Sequence, residues 1–381
     1  MTTYFVTGGT GVVGSGIISR LMTKPDSEVV ALVRATDPDN LRQRVDELRG
    51  YCDPDGTGRP AALRGETGDA TAVRFGLPEE IYRTMAQRCQ RVIHCAGAVR
   101  MNLPIAQARA SAVDSTGHIL AFMRDCAEAQ GQYPKLEFVS TVGVAGRSGV
   151  PLVEQWQHGH RVFHNTYEQS KAEAEALVER AVGEGMPITV HRPSMVVGDS
   201  RTGRVRSFQV FYHLVEFLSG SRTLGLFPDP ERAVLDLIPA DVVANCVVGS
   251  SDESGWSGKI LHLCSGSGGA IPIRALMDEV QTRYAARGLP TKHLAVVPTW
   301  VLSAILPALT KLSSGKTRRA LQALPVFLDY LASEQNFVND ETVSLIAGKG
   351  ISIPPIRDYL GAILDFYLDS RCTRVVPTRT S

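Results

Sequence analysis

Thr141, Tyr167 and Lys171 carry side chains of the types that acid catalysis at a carbonyl requires. Tyr167 and Lys171 stand four residues apart in NTYEQSKAEAEAL (165–177), a stretch dominated by strong helix formers, so one helical turn brings them together. Their side of the helix continues into Ala174, Leu177 and Val178, an apolar stripe. A phenol ionises near ~10 and is a poor acid–base group at neutral pH unless a neighbouring ammonium stabilises its phenolate. Thr141 ends a strand-like run in FVSTVGVAG, and its hydroxyl could hold a substrate oxygen. Together the three suit carbonyl reduction, in which a hydride reaches carbon while a proton reaches oxygen. The plain alternative is a surface tyrosine and lysine whose stems lie along the helix.

A hydride donor needs a site, and TGGTGVVG (Thr7–Gly14) supplies a candidate. It follows the strand-like YFVT and opens a helical pattern of Val13, Ile17, Ile18 and Leu21. Glycines there allow a tight turn and let backbone N–H groups approach a pyrophosphate at the helix N-terminus. The motif reads as Gly8, Gly11, Gly14 or as Gly9, Gly11, Gly14. A dinucleotide site selecting NAD has an acid about 20 residues beyond the glycines, at the end of the second strand. This chain has Arg34 there, which suits a 2′-phosphate and favours NADPH. Arg42 and Arg44 follow and could assist, or form a solvated basic face; Asp37 and Asp39 read as turn and helix-start residues. Asp69, in TGDAT (67–71) after the third strand, could meet an adenine amino group or simply close a turn.

The elements that must position these groups alternate. EVVALVR (28–34), RVIHCAG (91–97), LEFVST (136–141) and ITVHRP (188–193) are apolar runs typical of strands buried on both faces. Helical patterns at 115–130 and 167–182 separate the later ones, with Asn165 and Glu168 as the start signal of the second and Gly183, Gly185 and Pro187 as its end. This order predicts an α/β fold, a Rossmann-type doubly wound parallel sheet. After Pro193 a loop (196–208), an amphipathic run (208–218), a helix after Pro239 and a strand in KILHLCSG (259–266) follow. The expected division is a NADP-binding domain of 1–196 with 236–266, and a smaller, mainly helical substrate lobe of 197–235 with 267–381.

Composition narrows the function classes. The 381 residues are 44% hydrophobic and 21% charged, an ordinary soluble globular balance. Lys plus Arg number 40 and Asp plus Glu 39, so no global field attracts nucleic acid. Seven cysteines form no CxxC pair, and the N-terminus has no signal-peptide pattern, so reduced thiols in the cytoplasm are expected. His158, His160 and His164 could bind zinc with help from Glu154, but the chemistry needs no metal, and a flap or solvent role is the expectation. AVVPTWVLSAILPAL (295–309) is too short for a comfortable membrane span and reads as a buried or lid helix, or as a surface meeting a greasy substrate or a bilayer.

The chain resembles the extended short-chain dehydrogenase/reductase superfamily, and within it the fatty acyl-CoA reductase and carboxylic acid (thioester) reductase branch. The resembling stretches are TGGTGVVG (7–14), LVRA (32–35), GDA (68–70), VIHCAGAV (92–99), VSTVGV (139–144), YEQSKAEAE (167–175), HRPSMVVGDSRTG (191–203) and DLIPADVVA (236–244). The resemblance implies NADPH-dependent reduction of an acyl thioester, CoA- or carrier-bound, to an aldehyde, with the alcohol as a further product. It assigns Gly8, Thr10, Gly11, Val12, Val13 and Gly14 to the pyrophosphate, Arg34 and Arg44 to the 2′-phosphate, and Asp69 and Ala70 to the adenine. Ala96, Gly97 and Ala98 would line the cofactor, with Pro193, Ser194 and Val196 near the nicotinamide. Thr141, Tyr167 and Lys171 take the catalytic roles, and Lys171 also holds the nicotinamide ribose. Ala112 stands where relatives often carry an asparagine that relays a proton through water. Relatives are often fused to carrier domains, and this chain reads as unfused. Trp300, Leu302, Ile305, Leu306, Leu324, Phe327 and Leu331 would house an acyl chain or form ordinary core. A ketone or aldehyde reductase of the same fold and a non-catalytic NADP-binding sensor are the alternatives. Oligomeric state is open.

Overall fold

The computed structural model describes residues 1–57, 62–101, 103–220, 225–230, 233–291, 295–297, 304, 310–311 and 336–375. Seven strands build its central sheet: β1 (Thr2–Thr7), β2 (Ser27–Val33), β3 (Leu63–Thr67), β4 (Arg91–His94), β5 (Lys135–Val139), β6 (Ile188–Pro193) and β7 (Ile260–Leu263). Their spatial order is β7-β6-β5-β4-β1-β2-β3, and every neighbouring pair is parallel. The order reverses between β1 and β4, where connections leave in opposite directions and a crevice opens at the carboxyl ends.

Ten helices accompany the sheet among the described residues used below: α1 (Val12–Thr23), α2 (Pro38–Cys52), α3 (Glu79–Arg88), α4 (Ser115–Gln130), α5 (Thr166–Gly183), α6 (Val210–Leu218), α7 (Ala240–Ser251), α8 (Ile273–Ala286), α9 (Asp340–Ala347) and α10 (Ile356–Val375). Alternation along β1 divides its side chains between two cores. Phe5 packs with Phe75, Phe122 and Phe138 beside α3, α4 and α5, whereas Tyr4 and Val6 pack with Ile17, Leu21 and Val243 beside α1 and α7. A third core gathers α6, α8 and α10 through Phe211, Leu214, Leu276, Tyr359 and Ile363, and reaches Val12 at the head of α1.

Helix starts follow their local chemistry. The Asp37 side chain accepts from Asn40 N at 2.8 Å with Pro38 at the first turn, so Asp37 starts α2. Asn165 Oδ1 accepts from Glu168 N at 3.0 Å at the start of α5.

The late part of the chain returns to the sheet. Ile346 of α9 lies in the core shared by α1 and α7. Glu154 accepts from the backbone N–H groups of Glu341 at 2.8 Å and Thr342 at 3.0 Å, so its carboxylate caps α9. Leu152 forms a parallel bridge with Phe337 in the same place. No described helix is long and apolar enough to cross a membrane. Trp300, Leu302, Ile305, Leu306, Leu324, Phe327 and Leu331 lie outside the described residues, as does most of 295–309.

Buried ionic groups on β5 and β6 tie the sheet to its surroundings. Glu137 of β5 lies 2.8 Å from Lys135 Nζ and 2.6 Å from His191 Nε2, and all three side chains are buried. Arg192 of β6 is held by both carboxylate oxygens of Glu175 on α5, at 3.0 and 2.7 Å, and gives a further hydrogen to Gln155 O.

Candidate active site

The crevice at the carboxyl ends of β1, β4, β5 and β6 is a solvent-open cleft. One wall is the turn between β1 and α1. Gly8 adopts φ +73°, and a Cβ there would sit 2.5 Å from Ala96 N. A Cβ on Gly14 would sit 2.3 Å from Gly8 O, so α1 begins hard against the turn. Gly11, at the N-cap, places no side chain over the first turn of α1, and that turn carries no acidic residue. Its open N–H groups and positive dipole end suit a phosphate.

The opposite wall carries the hydroxyls. Thr141 follows β5 and its Oγ1 accepts from Gly143 N at 3.1 Å, which fixes the 142–145 turn. Tyr167 and Lys171 project from α5 into the same cleft, beside Thr141. Lys171 is buried; its Nζ donates to Val139 O at 2.7 Å and lies 4.5 Å from the Phe138 ring centre. Burial lowers its ionisation to about 8, against the pull of Glu175. Burial pushes the Tyr167 phenol up to about 12, while the Thr141 hydroxyl works to lower it and the Glu168 carboxylate adds to the rise. The Lys171 ammonium is turned to the end of β5, and burial is the main influence on the phenol.

His94 ends β4 behind this wall, with Nδ1 2.7 Å from Thr7 Oγ1, and burial with the nearby Lys171 charge pushes it down to about 3. It is therefore a neutral brace between β1 and β4. Ala112 sits in a π-turn (Ala110–Asp114), with its carbonyl accepting from Thr116 Oγ1 at 2.6 Å. Ser111 Oγ accepts from Ala98 N at 2.8 Å and steadies the 96–98 loop.

Thirteen of the residues expected to form the site line this one cleft: Gly8, Gly11, Val12, Val13, Gly14, Ala96, Gly97, Thr141, Tyr167, Lys171, Pro193, Ser194 and Val196. Thr10, Arg34, Arg44, Asp69, Ala70 and Ala98 stand outside it. Arg34, Arg44 and Asp69 form a group beyond β2 and β3. Arg34 lies 4.0 Å from Asp69 with its side chain 78% exposed, and Arg44 donates to Arg34 O at 2.6 Å. Arg42 pairs instead with Asp39. Asp69 also closes a turn, accepting from Thr71 N at 2.9 Å, and the Ala70 carbonyl meets His118 Nδ1 at 3.1 Å. The cleft includes residues that sequence reasoning did not assign: Cys95, Met101, Ser140, Glu168 and Gln209–Phe211. Glu168 had a signal, its place beside Tyr167, but read only as a helix-start residue.

The three histidines part company. His158 is 3.4 Å from Glu179, His160 is exposed, and His164 pairs with Glu168 at 2.9 Å. Among the described residues no group of three or more His, Cys, Asp or Glu could hold a metal ion.

Residues 6–247 match the profile of the male sterility protein family of NAD-binding domains. The chain belongs to that family. Within the wider set of relatives, the glycine betaine reductase ATRR of Emericella nidulans is 26% identical over 308 residues, 77% of this chain and 23% of that protein. The isonitrile lipopeptide synthase of Streptomyces coeruleorubidus is 30% identical over 234 residues, 59% of this chain and 15% of its own. The L-2-aminoadipate reductase of Schizosaccharomyces pombe is 27% identical, over 69% of this chain and 19% of its own. The family domain here thus spans less than a quarter of the length of these curated relatives. Among solved structures, the terminal R domain from the myxalamid PKS-NRPS biosynthetic pathway has a TM-score of 0.80 at 24% identity, covering 99% of this chain and 93% of that one. The reductase (R) domain of a nonribosomal peptide synthetase from Mycobacterium tuberculosis has a TM-score of 0.73 at 18% identity, with 99% and 93% covered. Both share the fold.

Proposed function

We propose that this protein is an NADPH-dependent reductase that converts an acyl thioester to an aldehyde. The observation that carries the reading is the meeting of Thr141, Tyr167 and Lys171 with the glycine turn in one cleft. The close-packed Gly8 and Gly14 and the uncovered N-terminus of α1 fit a dinucleotide pyrophosphate. Arg34 and Arg44 would hold the 2′-phosphate, Asp69 and Ala70 the adenine side, and Pro193, Ser194 and Val196 the nicotinamide side. Bound there, the nicotinamide supplies the hydride.

The chain's own residues do the rest. Thr141 and Tyr167 hydroxyls stabilise the oxygen as it gains charge, and Tyr167 hands it a proton. Lys171 orients the ribose and favours the phenolate that remains. The resulting hemithioacetal breaks its C–S bond, leaving an aldehyde and a thiol. A second reduction would give the alcohol.

Residues 1–196 with 236–266 would bind NADP and 197–235 with 267–381 the substrate, with Gln209, Val210 and Phe211 as the substrate lobe's share of the cleft. A carrier-bound thioester is favoured by likeness to the thiolation-reductase di-domain of an archaeal non-ribosomal peptide synthetase, TM-score 0.72. All seven cysteines are free thiols, which suits a reducing cytoplasm.

NADPH consumption against a panel of acyl-CoA and acyl-carrier thioesters, with mass identification of products, tests the reading. Aldehyde formed in step with NADPH loss is expected. Turnover of free ketones or aldehydes alone, with every thioester inert, overturns the substrate class.

A further inference from the structure

Among the described residues lining the cleft, Glu168 is the one carboxylate and Lys171 the one ammonium. Glu168 is 2% exposed, and its Oε2 accepts from the His164 backbone N–H at 3.0 Å and meets His164 Nδ1 at 2.9 Å. Opposite stands Gly143, where a Cβ would lie 2.9 Å from Glu168 Cγ and 3.4 Å from Oε1. Gly143 is also the residue whose N–H holds Thr141 Oγ1. The carboxylate is thus seated against the turn that fixes one reactive hydroxyl, on the residue next to the other. A helix-start role explains the His164 backbone bond. It requires neither the imidazole nor the missing side chain at residue 143.

We propose that Glu168, fixed in place by His164, is a positioning residue that keeps Tyr167 in its protonated, proton-donating form and so biases the cleft toward reduction. The inference rests on the reductase reading above. In each turnover the Tyr167 O–H bond breaks as the substrate O–H bond forms, and water must then return a proton to the phenolate. Lys171 favours the phenolate; a carboxylate beside the phenol favours the phenol. In the free protein burial is the main cause of the raised Tyr167 ionisation, and Glu168 adds to it.

The other charged groups around the pair belong to several elements. Lys171 and Glu175 lie on α5, the latter bound to Arg192 of β6. The loop before α5 brings Arg161, which donates to Val144 O, and Arg147, whose backbone N–H bonds Val162 O. Thr166 bonds the Met101 and Leu103 carbonyls, and Arg100 precedes Met101 in sequence, while Arg109 is paired with Glu173. Cys95 and His94 approach from β4, and the 140–146 turn has no titratable side chain.

The test is an NMR titration of the full chain carrying tyrosine labelled with carbon-13 at Cζ, with NADP⁺ bound, in wild type, E168Q and H164N. Y167F identifies the Tyr167 signal. E168Q keeps an acceptor for the His164 N–H, so α5 retains its start. The Tyr167 midpoint is expected to fall by about one pH unit or more in E168Q. The alkaline limb of kcat for reduction, which is lost as pH rises through that midpoint, moves down with it. H164N removes the imidazole that fixes the carboxylate and is expected to lower the midpoint by part of that amount. An unmoved midpoint in folded E168Q overturns the proposal. So does a rate loss equal at all pH values, which would mark Glu168 as a helix cap alone. The midpoint needs no turnover, so inert thioesters would overturn the substrate reading and leave this result standing on its own.

Discussion

Lys171 Nζ donates to the Val139 carbonyl at 2.7 Å, so the ammonium of α5 is tied to the last residue of β5. The lysine is 4% exposed, and that single strong bond accompanies a charge removed from water. Burial brings its ionisation from 10.5 to about 8. A folded value below the unfolded one means that the unfolded chain holds the extra proton between those two pH values.

Stability should therefore rise with pH across that window. Below about 8 the cost of the buried charge is fully present, and it is relieved as pH climbs toward 10.5. Wild type should gain on the order of 3 kcal/mol over K171M between these limits. Denaturant midpoints of the cofactor-free protein at stepped pH measure this, and parallel curves for the two proteins would contradict it.

Y167F should lower thioester-dependent NADPH oxidation by roughly 10²- to 10⁴-fold, because the proton donor is gone while the ring remains. T141A should lose about 10²-fold through the lost oxygen contact. NADPH affinity, read by quenching or enhancement of fluorescence, should change little in Y167F.

R34A should weaken NADPH roughly ten- to a hundredfold while leaving NADH nearly unchanged, since a charge-assisted bond to phosphate is worth about 1.5–3 kcal/mol. Arg34 is largely exposed and its Asp69 contact is long, at 4.0 Å, so the guanidinium is available to a ligand. Competitive titration of the two cofactors separates this from general damage.

E137A should cost about 3–5 kcal/mol, because Lys135 and His191 would be left charged or polar in the interior without their carboxylate. Replacing all three by apolar residues of similar size should restore most of that loss. Thermal unfolding of the single and triple variants distinguishes a lost partner from a lost shape.

The sheet was legible because its strands, buried on both faces, leave unbroken apolar runs such as EVVALVR, and because Asn165 and Asp37 mark helix starts chemically. The meeting of Thr141, Tyr167 and Lys171 in one cleft was legible because one helical turn links Tyr167 to Lys171 and a strand end carries Thr141. Tertiary proximity was not. The pairing of Val33 with Thr67 sets Arg34 beside Asp69, a consequence of β2–β3 register that no local pattern carries. Gly143 faces Glu168 across 25 positions of sequence, so the carboxylate read as a helix-start residue and His164 as one of a histidine trio. The eight residues of α9 return to the sheet on the strength of Ile346 and the Glu154 cap, neither of which has a distinctive periodic signature.

Glu154 has a bearing on how the chain matures during synthesis. A nascent chain that has been made as far as residue 335 already holds every strand of the central sheet and, among the described residues, every one that lines the cleft. It lacks Phe337, Glu341 and Thr342, which anchor Leu152 and Glu154 in the loop leading into the tyrosine helix. Closing that contact spans nearly 190 positions, a long-range step that comes late in folding. The approach to Tyr167 is thus secured only when residues 337–342 have emerged. A ribosome-bound intermediate would own the reactive groups before it owned the framework that holds them steady.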